Sequence, residues 1–276
     1  MSPTPPARSS LARIAIDLNA DLGEGVSGDD GHDPEQLDDQ LLQQVSSANV
    51  ACGGHAGDDT SMARVCRLAV QRGVAIGAQV SYVDRAGFGR TRLDVAHGTL
   101  VAQLAEQVAV LAEIAAQAGG PVTYVKPHGA LYNAAADDPA VAASVVEAVL
   151  LDAERNGRRP YPLLTLPGCV LADVAAARGV PVVGEAFADR AYTGGARLVP
   201  RGTPGAVLDD PATVVARVVR LAIEGLVRSI DGTDVAIDAA SVCLHSDTPG
   251  AARTAALVRA ALDDAGVAVR PFAVSP

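Results

Sequence analysis

Polar side chains recur at alternate positions where short apolar runs end. Asp17, Asn19 and Asp21 alternate with Ile16, Leu18 and Ala20. Asn49, Ala51 and Gly53 keep the same step, with His55 just beyond, and Gln79 and Ser81 repeat it. Tyr124, Lys126 and His128 fall at i, i+2 and i+4; Glu185 and Asp189, then His245 and Asp247, close two later runs. In an extended chain, period two puts each such set on one face and the apolar residues on the other. Three of the five histidines therefore end strands. Carboxylates, amides, one amine and imidazoles are the groups of general acid–base catalysis and oxyanion stabilisation. Asp17, Asp21, His55 and His128 are also donor types for a divalent cation. Burying such groups costs several kcal/mol each unless they are partnered, so their recurrence on five or six runs points to a site. Single members have blander readings. His128 alone would serve as a cap on a backbone carbonyl, His32 as solvated surface and His97 as a turn residue. Tyr132 and Asn133 either line the site or pack a turn, and Cys52 and Cys243 read as strand filler.

The elements that must position these residues are strands alternating with helices. Strand-like runs cover 14–21, 47–52, 74–80, 122–126, 162–166, 180–187 and 241–245, and a late run at 267–270 is a candidate edge strand. Apolar stripes at helical spacing predict helices over 34–45, 60–72 and 99–118. Asp33-Pro34, Asp138-Pro139, Asp210-Pro211 and Thr248-Pro249 each place a capping side chain before a proline at a helix start. Strict alternation implies a parallel sheet, either open and doubly wound or closed. No G-x-G-x-x-G or G-x-x-x-x-G-K-[ST] follows a strand, which removes the best signal for a dinucleotide or P-loop fold. The pattern reads as a single α/β domain over 13–276, a (β/α) barrel of about seven strands, after a short disordered tail over 1–12. In such a barrel the polar strand ends meet on one rim. The long, Gly-rich connection 188–209 is a candidate lid or binding loop.

Composition narrows the function class. Of 276 residues, 49% are hydrophobic, so a large core is available; the net charge of −10 argues against nucleic acid or an anionic membrane as partner. With no Trp and 3% aromatic residues, a base-stacking platform is unsupported. No apolar run predicts a membrane span or a signal core, and the four cysteines form no C-x-x-C pair. Reduced thiols and a cytoplasmic location are expected.

Longer stretches carry a family pattern. Ile16-Asp-Leu-Asn-Ala-Asp-Leu-Gly-Glu-Gly25 resembles the opening motif of the LamB/YcsF family, whose members are A components of 5-oxoprolinases. The stretch from Val45 to Asp58, containing Cys-Gly-Gly-His, looks like its second motif. Val74 to Tyr82 with Gly87-Phe-Gly-Arg90 is similar to the third, and Tyr124-Val-Lys-Pro-His-Gly-Ala-Leu-Tyr-Asn133 to the fourth. Glu185 to Tyr192, Leu198 to Arg201 and Val242 to His245 complete the order. The resemblance implies a distorted TIM-type barrel of seven strands, akin to polysaccharide deacetylases. It implies ATP-dependent opening of 5-oxoproline to glutamate, shared with B and C subunits. Three motifs depart from the pattern, at four positions. Gln79 and Val80 stand where His and Pro are usual, which removes an imidazole. Ser246 stands where Gly is usual. Gly54 replaces a common aromatic residue, which should open space near His55.

On this reading Asp17 and His55 activate or orient water, Lys126 supplies positive charge to an oxyanion, and His128 protonates the leaving nitrogen. Arg190 or Arg201 binds the substrate carboxylate through a bidentate fork. Asn19, Asn49 and Gln79 serve as neutral hydrogen-bond partners, with Asp21, Glu24 and His245 completing the substrate site. The sequence carries no nucleotide motif, so ATP is assigned to the partner subunits; a divalent metal stays open. Two alternatives remain: a stand-alone metal-dependent amide or carbohydrate deacetylase, and a non-catalytic scaffold subunit.

Overall fold

The computed structural model describes residues 15–26 and 33–273. The expected tail over 1–12 and His32 lie outside the described residues. In chain order the elements are β1 (Ala15–Leu22), α1 (Pro34–Leu42), β2 (Ser47–Ala51), α2 (Asp59–Arg72), β3 (Ala75–Val80), α3 (His97–Gln117), β4 (Val122–Pro127), α4 (Gly129–Asp137) and α5 (Pro139–Arg155). There follow β5 (Leu163–Thr165), α6 (Val170–Ala177), β6 (Val182–Phe187), α7 (Pro211–Glu224), β7 (Leu226–Arg228), β8 (Asp234–Ala236), β9 (Ser241–Leu244), α8 (Ala251–Asp264) and β10 (Ala268–Val269).

β1 to β6 pair in sequence order, β9 pairs with β6, and β9 returns to β1, so seven parallel strands close a barrel. All seven expected strands form. The late run forms β10, which pairs with the first residues of β1 (Ala15 with Ala268). β7 and β8 make a separate antiparallel hairpin between α7 and β9.

Closure decides which face is inside. Leu18, Leu22, Val50, Ile76, Val125 and Val242 are fully buried against the helices or nearly so. The alternate, polar residues fill the barrel, where small or branched apolar side chains are the rule in such folds. Register stacks them in layers: Asp17 lies opposite Ser241, Asn19 opposite Ser47, and Gln79 opposite Lys126. Gly77 makes this filling possible. A Cβ there would lie 2.1 Å from the Tyr124 ring, which crosses the interior beside it.

The helix ends differ from the sequence expectations by a few residues. α1 stops at Leu42, because the chain turns there to enter β2. Asp33, Asp138 and Asp210 accept from amides of the first turn, as expected. Thr248 does not cap α8. That helix begins after Gly250 at φ +69°, and the Thr248 hydroxyl donates instead to Asp189 at 2.8 Å. Among the described residues α3 is long and apolar enough to cross a membrane; here it packs on α2, α5, β3 and β4 as an outer helix of the barrel.

Candidate active site at the barrel mouth

The deepest polar layer is fully matched. Asp17 is 1% exposed and accepts from the hydroxyls of Ser46 (2.5 Å), Ser47 (2.7 Å) and Ser241. Burial still pushes its carboxyl up to about 6. Above it the Asn19 amide donates to Ser241 (2.7 Å), and Asn49 donates to Asn19 (2.7 Å) and Asp21 (2.8 Å). The Tyr124 hydroxyl donates to Asn49 at 2.6 Å, and burial holds that phenol well above its usual range.

Lys126 stands at the next level. Its Nζ lies 2.7 Å from Glu185, 3.2 Å from Asp21, 3.2 Å from Asn19 Oδ1 and 3.2 Å from Cys243 Sγ. Four acceptors thus meet three N–H groups, and the amine is 2% exposed. Burial works against the ammonium, but Asp21 and Glu185 beside it hold it charged, well above the usual lysine range. Burial likewise works against ionised Asp21, yet Lys126 and His128 keep its carboxyl well below the carboxylate range. The Cys243 thiol is pushed up by burial, which makes it a poor nucleophile.

The mouth itself is built on two imidazoles. His55 and His128 stack with ring centroids 3.8 Å apart. His55 Nε2 lies 3.0 Å from Glu24 Oε1, and His128 Nδ1 lies 3.5 Å from the same oxygen and 3.7 Å from Asp21. Glu24 reaches them from a tight turn after β1, with Gly23 at φ +73° and Gly25 at φ +71° on either side. That conformation favours glycine. Asp38 of α1 accepts from the Gly23 amide at 3.2 Å and so fixes the turn to the helix layer. His55 Nδ1 faces Ser81 Oγ at 3.0 Å. Ser81 is gripped in turn by Gln107 of α3, which accepts from its amide and donates to its carbonyl, both at 2.9 Å. Burial lowers the His55 pKa, against the pull of Glu24.

Phe88 closes over the pair, edge-on to both rings at 5.3 and 5.8 Å. Its φ of +54° is strained for a bulky residue, a feature that concentrates at functional sites. Gly89 follows; a Cβ there would lie 2.8 Å from His55 Cβ and 3.2 Å from His128 Cδ2.

A second pair flanks Asp21. His245 Nδ1 lies 2.7 Å from Asp189, and Phe187 stacks on the His245 ring at 5.3 Å. Burial works against protonated His245, but Asp189 raises its pKa overall. The Asp189 carboxyl falls to about 2, against burial, through His245 and Thr248. On the outer rim Asp247 meets Arg90 from one side and Arg201 (3.5 Å) from the other. A cleft of about 460 Å³ between the N-terminal ends of α3 and α5, lined by Tyr82, Arg92, His97 and Asp138, holds none of the strand-end acids or strand-end imidazoles.

The structure therefore joins Asp21, Glu24, His55, Lys126 and His128, with Asn19, Asn49, Gln79 and His245 in contact around them. It does not bring Asp17 to the mouth. Period two fixes a side chain's face, but not its depth, and Asp17 lies two layers below Asp21. Asp17 is thereby removed from the candidate metal ligands, and Asp21 is engaged by Lys126. Arg190 is buried and donates to the Val199 carbonyl at 2.6 Å, bracing the 188–209 connection; Arg201 is the arginine of that connection at the rim. Gly54 does not open space near His55. A Cβ there would lie 2.3 Å from Ser81 Oγ and 2.6 Å from Gln107 Oε1. His97 begins α3 and pairs with Ser144 (2.8 Å), away from the mouth. Sequence reasoning missed Phe88 and Gln107. It also passed over one signal: Lys126 is the only lysine in the chain, against 21 arginines.

Known proteins resemble this chain over nearly its whole length. The sequence matches the LamB/YcsF family over residues 16–275. It is 53% identical to the A subunit of 5-oxoprolinase from Streptomyces coelicolor, over 94% of this chain and all of that one. It is 52% identical to the protein of the same name from Mycobacterium avium, over 93% and 98% of the two chains. The crystal structure of the lactam utilization protein from Thermus thermophilus superposes with a TM-score of 0.83 at 38% identity, covering 94% of this chain and all of that one. The family match takes in every strand of the closed barrel, and the chain belongs to the LamB/YcsF family.

Proposed function

We propose that this chain is the A component of an ATP-dependent 5-oxoprolinase, opening the five-membered lactam of 5-oxoproline to glutamate with two partner subunits, B and C. The observation that carries the reading is the meeting of Asp21, Glu24, His55, Lys126 and His128 at one mouth. The names of relatives about half identical over nearly the whole chain supply the substrate.

The reaction adds one water across the lactam C–N bond. Arg90 and Arg201 share the single carboxylate of Asp247, which leaves net positive charge at the rim for the substrate carboxylate. His55, oriented by Ser81 and Glu24, takes the proton from water. His128 returns a proton to the departing nitrogen, with Asp21 lying 3.7 Å from its Nδ1. Lys126 acts chiefly through Asp21 and Glu185, since its three N–H groups already have acceptors; an oxyanion would take one of them over. ATP activates the amide oxygen and is handled by the partner subunits. Gln79, next to His128 Nδ1 at 2.9 Å, is the neutral replacement for the family's usual imidazole.

The test is release of glutamate from 5-oxoproline by the chain reconstituted with ATP and both partners. Activity in the parent that falls at least about a hundredfold in His128→Asn supports the reading; a silent complex, or an unaffected variant, overturns it. A second reading draws on the Glu24, His55 and His128 donor set: a metal-dependent amide hydrolase acting alone. Chelator-sensitive deacetylation without ATP would select it.

A further inference from the structure

The polar contacts around His55 admit two arrangements. Ser81 Oγ lies 3.0 Å from both the Tyr82 carbonyl and His55 Nδ1. Where the hydroxyl donates to the carbonyl, its oxygen accepts from His55 Nδ1, and the lone pair of Nε2 then points at Glu24 Oε1, 3.0 Å away, where a second proton or a cation resolves the contact. His128 stands beside the same carboxylate. Its Nδ1 lies 2.9 Å from the Gln79 side-chain amide and 3.5 Å from the same Glu24 oxygen. Its Nε2 and the Gln79 Oε1 are both buried without a hydrogen-bond partner among the described residues, and Gln79 is 0% exposed. The hydrogen-bond inventory thus stays incomplete at the point where two imidazoles and a carboxylate converge.

From this we infer that Glu24, His55 and His128 form a binding site for one divalent transition-metal cation, at the mouth of the barrel. The ligand atoms lie within 4.8 Å of one another, a spread that one ion can draw together. Two nitrogens and one oxygen suit zinc, cobalt or manganese and leave a position for an outside oxygen. Two of the three ligands are held from behind: His55 by Ser81 and Gln107, and Glu24 by the turn that Asp38 fixes. Asp21, Cys243 and His245 form a second compact group. There the Lys126 ammonium already occupies the space between Asp21 and Cys243, at 3.2 Å from each, so a dication would compete with a buried amine.

The site stands on its own geometry; its relation to lactam opening rests on the oxoprolinase reading, in which the metal-free imidazoles act as base and acid. The experiment is titration of the chelator-stripped, tag-free chain with Co²⁺, followed by visible absorption and by calorimetry with Zn²⁺. One equivalent should bind and give a tetrahedral-type ligand-field spectrum. Glu24→Gln and His55→Gln should each weaken binding at least about tenfold, on the scale of ligand-shell changes. Asp17→Asn and His97→Ala should bind as the parent does, and far-UV circular dichroism checks that every variant is folded. Absence of binding, or binding that Glu24→Gln leaves intact and His97→Ala abolishes, overturns the site. An active, metal-free complex would remove the cation while leaving the oxoprolinase reading intact. A chain that binds the cation but is inactive in the complex both with and without it would do the reverse.

Discussion

The floor and the mouth of this barrel are both built around a carboxylate of β1, two layers apart, yet they are finished differently. At the floor Asp17 accepts from three serine hydroxyls. At the mouth Asp21 and Glu24 face an amine and two imidazoles, with His128 Nε2 and Gln79 Oε1 left unmatched among the described residues. Buried polar groups are normally satisfied, and a layer that meets this rule serves the structure. A layer that breaks it is set up for something that arrives from outside. The contrast separates scaffold from site without appeal to residue type, since acids occur in both.

The largest effect should come from Lys126, which joins the two regions. Lys126→Met leaves Asp21 and Glu185 as adjacent buried acids. It should destabilise the fold by about 3–5 kcal/mol in a denaturant titration and abolish turnover. Glu24→Gln should separate the properties: stability within about 1 kcal/mol of the parent, and turnover lower by about a hundredfold or more. If stability falls as far as turnover, the mouth is scaffold too.

Asp17→Asn should show the opposite balance. The Asp17 carboxyl titrates near 6 in the folded chain against an ordinary value of 3.8. The folded state therefore holds this proton more tightly than the unfolded one. The ionised group carries a penalty of about 3 kcal/mol that is complete above pH 6 and relieved as pH falls toward 4. Asp17→Asn should flatten the pH dependence of stability across that window and keep turnover within an order of magnitude. The smallest effect is local. In Asp189→Asn the His245 imidazole, whose pKa is raised chiefly by Asp189 against burial, should titrate at lower pH by NMR. The stability from that pairing is present below the unfolded histidine value and is lost as pH rises through the folded one. The variant should lose that gain.

The seven strands were legible because polar and apolar residues alternate so regularly on β1 and β4. The same alternation places His55, Lys126 and His128 on one rim before any coordinates. Depth was not legible. Asp17 and Asp21 share a face, and only ring closure, which sets Ser241 beside Asp17, shows that one is walled in. Glu24 was harder to rank, since it lies past the strand, on a turn whose aim depends on two left-handed glycines. Gln107 was hidden within the apolar stripe of α3, where nothing local marks a polar contact with Ser81. Gly54 misled, because a small residue leaves no space where its neighbours close in to fill it. Thr248 looked like a cap beside Pro249, but Asp189 competes for its hydroxyl across the rim.

The most direct test compares two carboxyl-to-amide changes in one assay: glutamate formation from 5-oxoproline by Asp17→Asn and by Glu24→Gln, each reconstituted with ATP and both partner subunits. The account predicts that Asp17→Asn turns over at least about a hundred times faster than Glu24→Gln. Equal losses in the two folded variants, or a greater loss in Asp17→Asn, would contradict it.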